Sequence, residues 1–157
     1  MLAAVKDKYF QLLAKRSIKK FGREKIQSLV IPEKPMSEWR VSFLTTAGVH
    51  LAEEDPFDVE AGDWSVRFIP ADTEPEKLTV SHTHYDTKAV KEDVNTVFPL
   101  HALRDLEAEK KIGAVTPTLF GMMGYIPRTD KLMKKSVPII LKRLQEENAD
   151  ILLLSPG

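Results

Sequence analysis

Ile151-Leu152-Leu153-Leu154-Ser155-Pro156-Gly157 is the stretch whose reading decides the fold. Four successive large apolar residues leave no polar face, so the run reads as a fully buried strand, the habit of parallel sheets. Ser-Pro-Gly closes it, since proline cannot donate to a ladder and glycine suits turns. In the residues before it, Thr129 to Asn148, Met133, Val137, Ile140 and Leu144 share one helical face. Pro138 inside that stretch predicts a kink or a fresh start. Further back, Ala114-Val115-Thr116 reads as a strand. Pro99 with Leu100, Leu103, Leu106 and Ile112 predicts a helix that Gly113 ends. Strands alternating with helices predict an α/β fold: an open, mainly parallel, Rossmann-like sheet flanked by helices. A helix normally follows each strand of such a sheet, so the sheet is expected to be incomplete at the C-terminus.

The first half supplies the remaining elements. Val41 to Thr46 reads as a strand ending at Ala47-Gly48, Ser65 to Ile69 as an edge strand closed by Pro70, and Lys77 to Ser81 as a further strand. Asp86 to Asp93 reads as a short helical turn and Leu119 to Gly124 as a Gly/Met loop. Leu2, Val5, Tyr9, Leu12 or Leu13, and Phe21 recur at helical spacing, and Pro32 and Pro35 mark a linker. The expected domains are therefore 1–37, an amphipathic helix with its linker, and 38–157, the α/β domain.

With 157 residues, 43% of them apolar and 29% charged, the chain can bury a real core and stay soluble. No apolar run approaches the roughly 20 residues that span a bilayer, and no signal-type apolar core opens the chain. A cytoplasmic location is expected. Cysteine is absent, which excludes disulfides, thiolate metal sites and a Cys nucleophile within these residues. Residues 1–25 hold eight Lys/Arg against Asp7 and Glu24, while residues 52–63 hold six acidic residues and no basic one. Both read as solvated surfaces. No basic stripe with interleaved aromatics follows, so nucleic acid is not an expected partner.

In an open parallel sheet, ligands bind outside the carboxyl ends of the strands. Those ends carry Gly48 and His50, then Ser81-His82-Thr83-His84-Tyr85-Asp86, then Thr116, Thr118, Gly121 and Gly124, and finally Ser155 and Gly157. Three of the four histidines are thus expected on one rim, with His101 on a helix surface. On an extended segment His82, His84 and Asp86 share one side, a set that could hold a divalent metal. It partly resembles the HxHxDH signature of metallo-β-lactamase-type hydrolases, with Thr87 in place of the last His. One alternative function is therefore a metal-dependent hydrolase; another is a non-catalytic interaction domain using the acidic loop and the basic helix. Dinucleotide, P-loop and GxSxG motifs do not occur.

Thr45 with Ala47-Gly48-Val49-His50, Val80-Ser81-His82 with Tyr85-Asp86, Asn95 with Phe98-Pro99, Met123-Gly124-Tyr125-Ile126-Pro127, Lys142-Arg143-Leu144 leading to Asp150, and Leu154-Ser155-Pro156-Gly157 together form a recognisable order. Over residues 38–157 the chain resembles the selenoprotein B subunits of glycine, sarcosine, betaine and D-proline reductases. The resemblance implies a last strand and Gly turn followed directly by selenocysteine, whose UGA codon otherwise means stop. The chain would then be the N-terminal portion of a longer selenoprotein that reductively cleaves the C–N bond of a small amine or amino acid. It would be inactive as 157 residues. No cofactor is expected in the chain itself; a pyruvoyl group on a partner subunit and thiol redox partners are implied, with a homo-oligomer formed through the uncovered sheet. His50 and His82 are the catalytic candidates. Gly48, His84, Tyr85, Asp86, Thr116, Gly121, Gly124, Ser155 and Gly157 are the rim candidates.

Overall fold

A computed structural model describes residues 32–82 and 87–156, together with Leu12, Lys15, Arg16 and Val30. The chain divides into two compact units, 1–31 and 32–157. The amphipathic helix expected over residues 2–20 falls outside the described residues, save Leu12, Lys15 and Arg16, which are helical and exposed.

The second unit is built around β1 (Arg40–Thr45), with five of its six residues buried. One flank of β1 is taken by β7 (Ile151–Ser155), parallel and in register from Val41↔Ile151 to Thr45↔Ser155. The other flank is shared: β5 (Ala114–Val115) pairs with the start of β1, and β6 (Thr118–Met122) with its end, both parallel. Pro117 separates them, as a residue without a backbone N–H should. Beyond β6 lies β3 (Val66–Pro70), antiparallel at the edge, with Phe68 opposite Phe120. The sheet is mixed but mostly parallel. β2 (Val49–Leu51) and β4 (Leu78–Val80) form a separate antiparallel pair.

Alternation along β1 places its apolar residues on both faces of the sheet. Val41 and Phe43 point into one core with Ile69, Phe98, Leu100, Leu103 and Leu119. Leu44 points the other way with Phe120, Met122 and Ile140. The first core is covered by α1 (Lys88–Glu92) and α2 (Leu100–Ala108). A composite helix contributes to the second: α3 (Thr129–Lys131), a π-helical turn (Leu132–Ser136) and α4 (Val137–Glu146). Pro138 sits in the first turn of α4, and the helical dihedrals of Ser136 and Val137 carry the backbone from the π-helical turn into it without a non-helical break.

Three sequence expectations are corrected. The Leu119–Gly124 loop is instead β6, buried at every residue, because its neighbours are β1 and β3 rather than solvent. The helix from Leu100 ends at Ala108, not at Gly113; Lys110, with φ +57°, takes the left-handed position after it. β7 is not fully buried: among the described residues it pairs with β1 alone, and Leu153 is 43% and Leu154 69% exposed.

β7 is fastened at its entry. Asp150 accepts the Arg40 N–H at 2.7 Å and pairs with Lys34 at 2.7 Å, while its own N–H donates to the Arg40 carbonyl at 2.9 Å. The Arg40 N–H first, and then Lys34, hold the Asp150 carboxyl below its usual range. A carboxylate lowered by folding stabilises the native state above its unfolded pKa, about 3.9, and that contribution fades as pH falls through the folded value. Asp150→Asn is expected to lose about 0.5–1 kcal/mol at pH 6, since solvent screens the pair with Lys34. Its urea midpoint should also fall less than that of the parent between pH 5 and pH 3. Parallel pH profiles for the two proteins would refute the anchor.

Candidate functional site

The carboxyl ends of β1, β4, β6 and β7 converge on residues 46–48. Thr46 leaves β1 and donates its N–H to the Ser155 carbonyl at 3.0 Å. Ala47 bridges Met123 across the end of β6. Gly48 donates its N–H to the Met122 carbonyl at 2.8 Å and accepts the Ser81 N–H at 2.9 Å. Four strand ends are thereby tied by backbone hydrogen bonds into one rim.

Two glycines set how closely the rim packs. Gly48 has φ +77°, and a Cβ there would lie 2.2 Å from the Ser81 carbonyl oxygen. At Gly124 an added Cβ would lie 3.2 Å from the Thr46 carbonyl oxygen and 3.3 Å from His82 Nε2. The imidazole of His82 is therefore laid against the Gly124 backbone, beside Thr46. His82, Thr46 and Ser155 are half-buried and Gly124 is exposed, so this side of the rim meets solvent.

His50 is placed differently. It lies within β2 at 3% exposure, with its ring edge against Phe57 at 5.6 Å between centroids. Its Nδ1 is 2.8 Å from the Leu51 carbonyl, which can only accept, so Nδ1 carries a hydrogen. In the neutral ring Nε2 then accepts from the Ser81 hydroxyl at 2.8 Å. His50 is a satisfied, buried imidazole whose link to the rim runs through Ser81 to the adjoining His82.

Of the expected rim residues, Gly48, His82, Gly124 and Ser155 come together. Gly121 is one step behind them, within β6 opposite Thr45 and beneath the Val49 carbonyl of β2. Thr116 is not at the rim. It is fully buried at the junction of β5 and β6 beside the start of β1, with its hydroxyl donating to the Thr118 carbonyl at 2.9 Å. Treating Ala114–Thr116 as a complete strand placed its end too early; the strand direction resumes at Thr118. His84, Tyr85, Asp86 and Gly157 lie outside the described residues. His101 is exposed on α2, held by Asn95. Thr46, read from the sequence as the last residue of its strand, and Ser81, noted at a strand end but not among the chosen candidates, both belong to the rim. Among the described residues no three His, Asp or Glu side chains converge as a metal would require. No helix among them is long and apolar enough to cross a membrane.

A second concavity, about 300 Å³, lies between β4, α1 and the start of α2. Leu78, Val90 and Val94 line it, with Glu76, Asp93 and His101; it shares none of the rim's residues.

Comparison with known proteins adds to this geometry. A family model described as glycine/sarcosine/betaine reductase selenoprotein B matches residues 5–156. The D-proline reductase subunit gamma of Acetoanaerobium sticklandii is 36% identical over 124 residues, which is 79% of this chain and 51% of that protein. The chain thus spans about half the length of the curated relative it matches. No solved structure matches significantly.

Proposed function

This chain belongs to the glycine/sarcosine/betaine reductase selenoprotein B family, and we propose that it forms the N-terminal α/β part of a reductase selenoprotein subunit. In this reading its Rossmann-like sheet continues beyond residue 157. The rim of Thr46, His82, Gly124 and Ser155 is where that subunit works. The observation that carries the reading is the convergence of four strand ends on a half-buried histidine, in a chain of this family. The selenolate of the longer protein would supply a nucleophile that is ionised at neutral pH, for reductive C–N cleavage of a small amine or amino acid of the glycine, sarcosine, betaine or proline type. The substrate would be presented by a pyruvoyl-bearing partner subunit, with thiol partners restoring the redox state.

The residues of this chain have their own tasks. His82, held against the Gly124 backbone, can deliver a proton to a leaving nitrogen, for which an imidazole is suited near neutral pH. Gly124 keeps the approach open, because any side chain would press on both Thr46 and His82. Ser81 and His50 fix the backbone that carries His82.

The test uses the product of the complete reading frame with its partner subunits. Selenium should be found by mass spectrometry at a position C-terminal to Gly157. Thiol-dependent reductive cleavage should be found with D-proline, glycine, sarcosine or betaine. His82→Asn is expected to lower kcat by about 10²-fold with KM little changed. Unchanged turnover would remove His82 from the chemistry. A selenium-free product that reduces none of the four substrates would overturn the reading as a whole.

A further inference from the structure

β7 has the composition of an interior strand in the position of an edge strand. Its side chains alternate between the two faces of the sheet. Ile151 packs on one core and Leu152 on the other. The next two residues repeat the alternation, and both are uncovered: Leu153 is 43% exposed and Leu154 69%. Among the described residues β7 pairs with β1 alone, so its outer backbone edge is open.

The opposite edge of the same sheet shows what an edge strand looks like here. β3 carries Arg67 as its second residue and ends at Pro70, a charge and a residue that cannot donate, both of which discourage further pairing. β7, Ile-Leu-Leu-Leu-Ser, contains neither a charge nor a proline. An open edge with bare leucine on both faces invites association unless something covers it.

We infer that in the full-length protein the segment C-terminal to residue 157 adds a strand along the open edge of β7 and packs apolar residues over Leu153 and Leu154. The inference rests on reading the chain as part of a longer subunit, though not on that subunit's chemistry. The relative is about twice as long as the matched region, and in the reading above the remainder follows residue 157. A parallel neighbour needs only a crossover of about a dozen residues or more to return beside β7. β7 then becomes an interior strand, which is what its sequence specifies.

Hydrogen exchange of the amides of residues 151–155 decides the matter, read by mass spectrometry on the 157-residue chain and on the product of the complete reading frame. At matched concentrations, exchange should be at least about 100-fold slower in the longer protein. Leu154→Lys should lower the Tm of the longer protein by about 8 °C and leave that of the 157-residue chain unchanged. Equal exchange in the two proteins overturns the inference. So does protection in the short chain that grows with concentration, which would mean a second copy covers β7, or protection shared with residues 1–31. A reading frame ending at Gly157 overturns it as well. If the short chain does not fold, an unaltered Tm for Leu154→Lys in the longer protein still refutes it. None of these measurements reads turnover, so failure of the proposed reduction and failure of this inference remain distinct.

Discussion

Gly121→Ala is expected to cost about 4 kcal/mol or more, a loss comparable to the whole stability of a modest domain. Gly121 lies in β6 between Thr45 of β1 and Arg67 of β3, paired with both. Above it passes β2, whose Val49 carbonyl oxygen would be 1.9 Å from an added Cβ, with Ile69 Cδ1 at 3.3 Å. Overpacking usually costs about 1–3 kcal/mol when a neighbouring side chain can rotate away. Here the obstacle is main chain, and Val49 is itself paired with Val80 of β4. Relief requires moving β2 off the sheet or breaking a central ladder. The urea midpoint should fall by about 2 M. A midpoint within error of the parent would show that β2 does not press on β6.

Gly48→Ala is the second large effect, expected at about 3 kcal/mol. Two costs add. A non-glycine residue in the left-handed region costs about 1–2 kcal/mol, and Gly48 has φ +77°. The new Cβ would also meet the Ser81 carbonyl oxygen at 2.2 Å, while the Gly48 carbonyl accepts from the Ser81 N–H. Gly48→Asn separates the two, because Asn tolerates the left-handed region but still carries a Cβ. If the close approach dominates, Asn rescues little. If conformation dominates, Asn recovers most of the stability. A fully stable Gly48→Ala protein would remove both arguments.

The elements that were legible in the sequence are those whose local pattern needed no partner. Alternation marked Ser65 to Ile69 as an edge strand, and β3 is one. Helical spacing over Thr129 to Asn148 matches the composite helix, whose irregularity is the π-helical turn before Pro138 rather than a break at it. The acidic stretch 52–63 is a loop apart from isolated turns. What failed depended on neighbours. Gly121 and Gly124 made residues 119–124 look like a loop, but glycine in β6 is explained by β2 lying across it, which no local pattern encodes. Ile151 to Leu154 gave the right element and the wrong burial, because burial belongs to whatever lies beside it. At the rim, the strand-end rule gathered Gly48, His82, Gly124 and Ser155. It misplaced Thr116 because Pro117 interrupts, rather than ends, the strand direction.

The central place of β1 has a consequence for how the chain comes to be made. Its first residue is joined to a partner 110 positions later, Arg40 to Asp150. At about 5–20 residues per second, a ribosome needs on the order of ten seconds to synthesise the intervening stretch. Throughout that interval β1, buried at five of its six residues in the folded protein, has one flank it cannot fill. Closing so long a loop also slows folding once the partner has emerged. β1, the first strand made, therefore gains its second neighbour only when the last strand has emerged.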